Sequence, residues 1–244
     1  MVESGRSVKM SWPKAILLDF YGTVVEEDDA ARGIMRAAIL AVAGDRFTER
    51  EFARVWEERY VCRCGESHGE RFCLQSIFAE ETLRETLAHF QVDLDAAELI
   101  QHELTAWKQP ALFPEAAHVL AHCPLPICLV SNIDNVYLDA ALAYNGLSFN
   151  NIVTSEDVRA YKPHPAPFLR ALEMLSCRPE EVLHVGDSRS SDLAGAQALG
   201  MPVLWINRSG RSLPAGMTPT YMAGDLTRLL DILQADQPVV MGGH

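Results

Sequence analysis

The 244-residue sequence predicts an α/β protein, a doubly wound parallel-sheet core that carries an inserted all-helical segment. Three observations predict it. From Pro110 onward, short apolar runs alternate with stretches of helical spacing. A further apolar run, Ala15–Asp19, stands near the start and ends in a tight loop marked by Gly22. Between these regions, residues 26–109 show helical spacing and no convincing strand. Strands separated by helices of this length pair in parallel, and such sheets bind ligands beyond the carboxyl ends of their strands. The expected core is therefore residues 1–25 plus 110–244, and the expected helical insertion is residues 26–109.

Taken in order, AILLD at Ala15–Asp19 reads as a buried strand leading into a turn. Thr48 followed by Glu51 resembles a capping box and opens a helix through Tyr60. VCRCGESHGERFC then reads as a glycine-containing loop, and Ser76–Phe90 and Leu94–Trp107 repeat apolar residues at helical spacing. In the core, strands are expected at Pro126–Ser131, Asn151–Thr154, Val182–Gly186 and Pro202–Ile206. Helices are expected near Val136–Tyr144, Pro165–Leu175, Asp192–Leu199 and Leu226–Leu233, followed by a loose tail at Gln237–His244. Trp56, Trp107 and Trp205 lie on apolar faces and read as core.

A hydrophobic fraction of 48% is ample for a buried core. The net charge of −12 repels polyphosphate backbones and argues against nucleic-acid binding, although a local cation can reverse that field within a cleft. No stretch approaches the roughly 20 apolar residues of a membrane span. Met1–Met10 lacks the apolar run of a signal peptide. The six cysteines, with Cys123 and Cys128 at or inside an apolar run, suit reduced thiols and a cytoplasmic protein. Cys62, Cys64, His68 and Cys73 match no common zinc module, so packing and loop roles are their default.

Four features fall at or just beyond strand ends: DFYGT (Asp19 to Thr23), LVSN (Ser131, Asn132), YKPHP (Lys162) and HVGDSRSSD (Asp187, Asp192). Their chemistry is coherent. A carboxylate can attack phosphorus, or a carbon bearing a leaving group, and form a covalent intermediate. The hydroxyls of Thr23 and Ser131 can donate to the transferring group, and Lys162 can neutralise its charge. Asp19 and Asp187 can hold Mg²⁺, a hard cation that prefers carboxylate oxygen. Asp192 would order the metal's waters from behind. Ser131 and Asn132 could also begin a helix, and Asp192 could equally cap one.

These elements, in this order, resemble the four motifs of the haloacid dehalogenase superfamily over roughly residues 10–25 and 110–235. The resemblance implies a Rossmann-like core with a helical C1 cap, and a small-molecule substrate. It makes Asp19 the nucleophile and Ser131, Lys162 and Asp187 the hydroxyl, lysine and metal ligand of the later motifs. The backbone carbonyl of Tyr21 would be a further metal ligand, and amides near Gly22 would hold the transferring group, with Asn132 beside it.

One position departs from the superfamily's phosphatases, which carry a second aspartate two residues after the nucleophile as general acid and base. Here that residue is Tyr21, as in the superfamily's dehalogenases, which displace halide without protonation or metal. The fourth motif, Gly186-Asp187-Ser188, instead resembles the Mg²⁺-dependent phosphatases. A phosphonatase needs a cap lysine, and there is none between Lys14 and Lys108. The metal site is given more weight, because adjacent carboxylates are costly without a cation. The expectation is thus a Mg²⁺-dependent phosphatase acting on a small phosphate ester, with 2-haloacid dehalogenation second and a non-catalytic binding protein third. His68, with Glu66 and Glu70 nearby, is the candidate proton donor from the cap loop, and Arg59 or Arg63 the candidate cation for the substrate carboxylate that dehalogenation would require. The acid run Glu26, Glu27, Asp28 and Asp29 reads as a solvated hinge loop that could also meet a substrate amine.

Overall fold

The computed structural model describes residues 13–27 and 29–235. Met1–Met10, Asp28 and the tail Gln237–His244 lie outside the described residues. Six strands form one sheet: β1 (Ala15–Leu18), β2 (Ile127–Ser131), β3 (Asn151–Thr154), β4 (Val182–Gly186), β5 (Val203–Ile206) and β6 (Tyr221–Ala223). Their order is β3-β2-β1-β4-β5-β6, and every pairing is parallel. The chain steps outward from β1 to β3 and then returns to β4 on the other side of β1. The sheet therefore splays open beyond the carboxyl ends of β1 and β4, which is where doubly wound sheets hold ligands.

Both faces of the sheet are covered, so β1, β4 and β5 are buried along their whole length. Alternate residues serve opposite faces. Ile16, Leu18, Leu129, Val185 and Leu204 pack with α5 (Ala116–His122), α6 (Asn135–Asn145) and α10 (Arg228–Ala235) through Val119, Leu138 and Leu229. Leu17, Cys128, Val130 and Val203 pack with α8 (Pro165–Leu175) and α9 (Ala194–Ala198) through Phe168 and Ala196. Gly195 lets these two helices approach: a Cβ there would sit 2.5 Å from the Phe168 ring.

The helical cap comprises α1 (Asp29–Ala43), α2 (Glu49–Glu66), α3 (Gln75–His89) and α4 (Ala96–Lys108), and has an apolar core of its own around Met35, Phe52, Leu83 and Ile100. The Thr48–Glu51 capping box is present, but α2 runs past Tyr60 to Glu66. Val61, Cys62, Cys64 and Gly65 are poor helix formers, so the extra turn is set by packing along α3, where Arg63 pairs with Glu81 and Glu85. The helix expected at Asp192–Leu199 is instead a π-turn, Arg189–Leu193, followed by α9. Its cap is Ser188, whose Oγ accepts from Ser191 N at 3.2 Å; Asp192 lies inside the turn and does not cap it. Helix α1, helix α5, the short α7 (Ser155–Val158) and edge strand β6 had no individual expectation.

Trp205 is fully buried, whereas Trp56 and Trp107 are only partly so. All six cysteines are free. Among the described residues, no helix is long and apolar enough to cross a membrane.

Leu129 is fully buried at the sheet's centre, whereas Leu169 on α8 is 49% exposed. Leu129→Ala should cost about 2–5 kcal/mol in urea unfolding, and Leu169→Ala within about 0.5 kcal/mol.

Candidate active site

The turn after β1 is wound tightly around one carbonyl. The oxygen of Phe20 accepts from the amides of Thr23, Val24 and Val25 at 3.3, 2.8 and 3.1 Å. This winding requires Gly22 at φ +81°, and a Cβ at Gly22 would sit 2.6 Å from Asp187 Oδ1. Glycine therefore serves twice here: it tolerates the left-handed backbone and lets the end of β4 approach the end of β1. Arg208 holds the turn from outside, with Nη2 donating to the Thr23 carbonyl at 3.0 Å and pairing with Glu115 at 2.7 Å.

Asp19, the first residue past β1, is buried and accepts at both oxygens. Thr23 Oγ1 donates to Oδ2 at 2.9 Å and Lys162 Nζ to Oδ1 at 2.7 Å. The ammonium of Lys162 is buried as well, and its other two donors go to the Val130 carbonyl at 2.8 Å and to Asp192 Oδ1 at 2.7 Å. Asp192 Oδ1 also meets His184 Nε2 at 2.9 Å, and its Oδ2 accepts from Ser188 N at 3.0 Å. A Cβ at Gly186 would lie 2.4 Å from the Asp192 carboxyl carbon, so this packing also depends on glycine.

Asp187, at the end of β4, is held by Arg211, whose Nη2 donates to its Oδ2 at 3.0 Å and to its carbonyl at 2.7 Å. Trp205 Nε1 donates to the same carbonyl at 2.7 Å.

The electrostatics follow from this packing. Burial, then Asp192 and Asp187, push the Asp19 carboxyl up to about 7 against the pull of Lys162. Burial, Asp192 and Glu27 push Asp187 up to about 6, with Arg211 opposing. Burial would also raise Asp192, but Lys162 and His184 outweigh it and hold Asp192 below the usual carboxylate range. For Lys162, burial is more than offset by Asp19 and Asp192, so it stays charged. Asp19, Asp187 and Asp192 can each turn one oxygen toward a common point, all within 4.8 Å of one another. They are the only set of three or more such ligands among the described residues, so Cys62, Cys64, His68 and Cys73 do not form one. Asp192 accepts from three donors and Asp19 from two, whereas Asp187 accepts only from Arg211, at Oδ2; Asp187 is thus the carboxylate of the three with the fewest protein donors.

The structure thus brings together Asp19, Gly22, Thr23, Lys162, Asp187 and Asp192. Ser131 is buried at the end of β2, and Asn132 clamps the backbone of Lys162, accepting from its amide at 2.7 Å and donating to its carbonyl at 3.0 Å. Tyr21 turns its hydroxyl to the cap, donating to the Trp107 carbonyl at 2.5 Å, and burial holds it well above the usual tyrosine range. His68 stacks on His164, with ring centroids 5.5 Å apart, at the junction of cap and core. Arg63 pairs with Glu85 at 2.6 Å and Glu81 at 3.4 Å on α3, inside the cap. Sequence reasoning missed His184, Arg208 and Arg211. His184 was signalled by a lone polar residue in the apolar strand VLHVG; the loop arginines carried no local signal.

The chain belongs to the haloacid dehalogenase-like hydrolase family, whose model matches residues 13–200. A phosphoglycolate phosphatase of Yersinia pestis is 30% identical over 214 residues, 82% of this chain and 83% of that protein. An (S)-2-haloacid dehalogenase of Pseudomonas sp. (strain YL) is 25% identical over 232 residues, 92% of this chain and 96% of that protein. The crystal structure of the L-2-haloacid dehalogenase RSc1362 matches with a TM-score of 0.75 at 23% identity, covering 92% of this chain and 100% of that one, a likeness of fold. The protein is therefore a hydrolase of this superfamily, and its relatives include both phosphatases and dehalogenases.

Because Asp19 and Asp187 keep their protons longer in the folded state than in the unfolded chain, their contribution to stability is full below about pH 4 and lost as pH rises to about 7. In chelator, Asp19→Asn should flatten the fall in Tm between pH 4.5 and 7.5 measured by scanning calorimetry. An unchanged slope would show that Asp19 is not the raised group.

Proposed function

We propose that the protein is a Mg²⁺-dependent phosphatase that attacks a small phosphate ester with Asp19. The observation that carries this reading is a charge deficit. Three carboxylates, Asp19, Asp187 and Asp192, face two cationic side chains, Lys162 and Arg211. A nucleophile held up to about 7 is substantially protonated at neutral pH, and a further cation beside it would restore the anion. Asp19, Asp187 and the Tyr21 carbonyl would hold Mg²⁺, which would neutralise phosphoryl oxygens and keep both carboxylates ionised.

The remaining steps belong to the chain's own residues. An Asp19 oxygen attacks phosphorus, the bond to the leaving oxygen breaks, and an aspartyl-phosphate forms on Asp19. Lys162, Ser131 and amides near Gly22 hold the phosphoryl oxygens. Water then attacks phosphorus, phosphate leaves and the carboxylate is regenerated. No acid stands two residues after the nucleophile, because the Tyr21 hydroxyl is spent on the Trp107 carbonyl. Without an acid at that position, aryl or acyl phosphates, whose leaving groups need little protonation, are favoured over alkyl phosphates, and His68 on the cap loop is the remaining candidate donor.

That same bond favours a second reading. Halide leaves without a proton, so an Asp19 that attacks the halogen-bearing carbon of a 2-haloacid would also need no acid at position 21.

Phosphate release from p-nitrophenyl phosphate, with Mg²⁺ and with EDTA, run beside chloride release from 2-chloropropionate, separates the two. We expect Mg²⁺-dependent phosphate release, background rates for Asp19→Asn, and kcat lowered about 10²–10³-fold by Lys162→Met. Chloride release indifferent to EDTA, with no phosphate, would establish the second reading instead.

A further inference from the structure

Helix α3 of the cap begins at Gln75, and its N-cap residue, Leu74, makes no side-chain hydrogen bond to its first turn. A residue of the core supplies that bond. Asp134 Oδ1 accepts from Gln75 N at 2.7 Å and Oδ2 from Ser76 N at 3.0 Å, with Asp134 only 1% exposed. Asp134 stands at the N-cap position of α6, where aspartate ordinarily accepts from its own helix, yet it makes no such bond. The first amide of α6, that of Asn135, donates to Glu156 Oε2 of α7 at 2.7 Å. The Asp134 carboxylate thus serves the cap's helix and not its own.

The same short loop reaches the nucleophile. Asn132 grips the backbone of Lys162, whose ammonium lies on Asp19. Nearby, Tyr161 Oη donates to the Cys73 carbonyl at 2.8 Å, Gly69 N donates to the Arg159 carbonyl at 2.9 Å, and Arg159 Nε donates to the Gly69 carbonyl at 3.0 Å. A buried anion with two charge-assisted bonds to a helix N-terminus is the strongest tie in this group.

We propose that Asp134 is a positioning residue that latches the cap over Asp19, so that one loop sets both the closed cap and the placement of Lys162. The latch depends on how the cap is seated and holds whichever bond the site breaks.

Hydrogen exchange at single amides tests it in the wild type, Asp134→Ala and Asp134→Asn. The amides of Gln75 and Ser76 report the helix end, and that of Gly69 reports the cap–core boundary away from it. We expect all three to exchange about tenfold faster in Asp134→Ala. Asp134→Asn, which keeps one accepting oxygen, should fall between, and it carries the comparison if the alanine variant does not fold. With p-nitrophenyl phosphate or 2-chloropropionate, whichever is turned over, KM should rise about tenfold while kcat stays within about twofold. Faster exchange at Gln75 and Ser76 with Gly69 unchanged would reduce Asp134 to a local helix cap and overturn the latch. So would a fall in kcat at unchanged KM. Failure of the phosphatase reading would appear separately, as absence of phosphate release by the wild type, and would leave the exchange comparison intact.

Discussion

The buried ammonium of Lys162 is the interaction on which the rest of the site depends. It gives its three donors to Asp19, Asp192 and the Val130 carbonyl, and so joins the ends of β1, β2 and β4 at the sheet's crevice. Removing one partner of such a buried pair typically costs about 3–5 kcal/mol, because it strands an uncompensated charge. Here it would strand two carboxylates. The surrounding sequence serves this contact: Gly186 makes room for Asp192, His184 holds Asp192 from the strand, and Asn132 fixes the lysine backbone.

Lys162 alone does not balance the site. Asp187 adds a third carboxylate, and Arg211 answers it from the loop after β5. Burial first, and then that crowding, raise the protonation of both Asp19 and Asp187, and a further positive charge would offset both. The cap closes the same space from above. Tyr21 reaches from the nucleophile turn to Trp107 at the end of α4, and Asp134 reaches from the β2 loop to the start of α3. The segments that follow β1 and β2, next to Asp19 and Ser131, thus also help to seat the cap, with Arg159 and Tyr161 beside them.

Much of this was legible in the sequence, for identifiable reasons. The sheet was readable because parallel strands buried on both faces are short, nearly unbroken apolar runs; Asn151–Thr154 and Val182–Gly186 match the expected bounds. The polar residues ending those runs marked the crevice. The end of α2 was misplaced because Cys62, Cys64 and Gly65 resemble a loop composition, while packing on α3 carries the helix on to Glu66. The turn at Arg189–Leu193 was misread because an aspartate before an apolar run resembles a cap, whereas Asp192 is drawn inward by Lys162 and His184. Arg211 and Asp134 could not be assigned, since each finds its partner far away in sequence. Pairings of that kind follow from topology and leave no local pattern.

The proposed function needs Asp19 and Asp187 to bind one cation together. Calorimetric titration of Mg²⁺ at pH 7.5 into the wild type and Asp187→Asn tests it most directly, with no substrate required. The wild type should take up one ion per chain and Asp187→Asn no measurable amount. No uptake by the wild type, or equal uptake by both proteins, would contradict it.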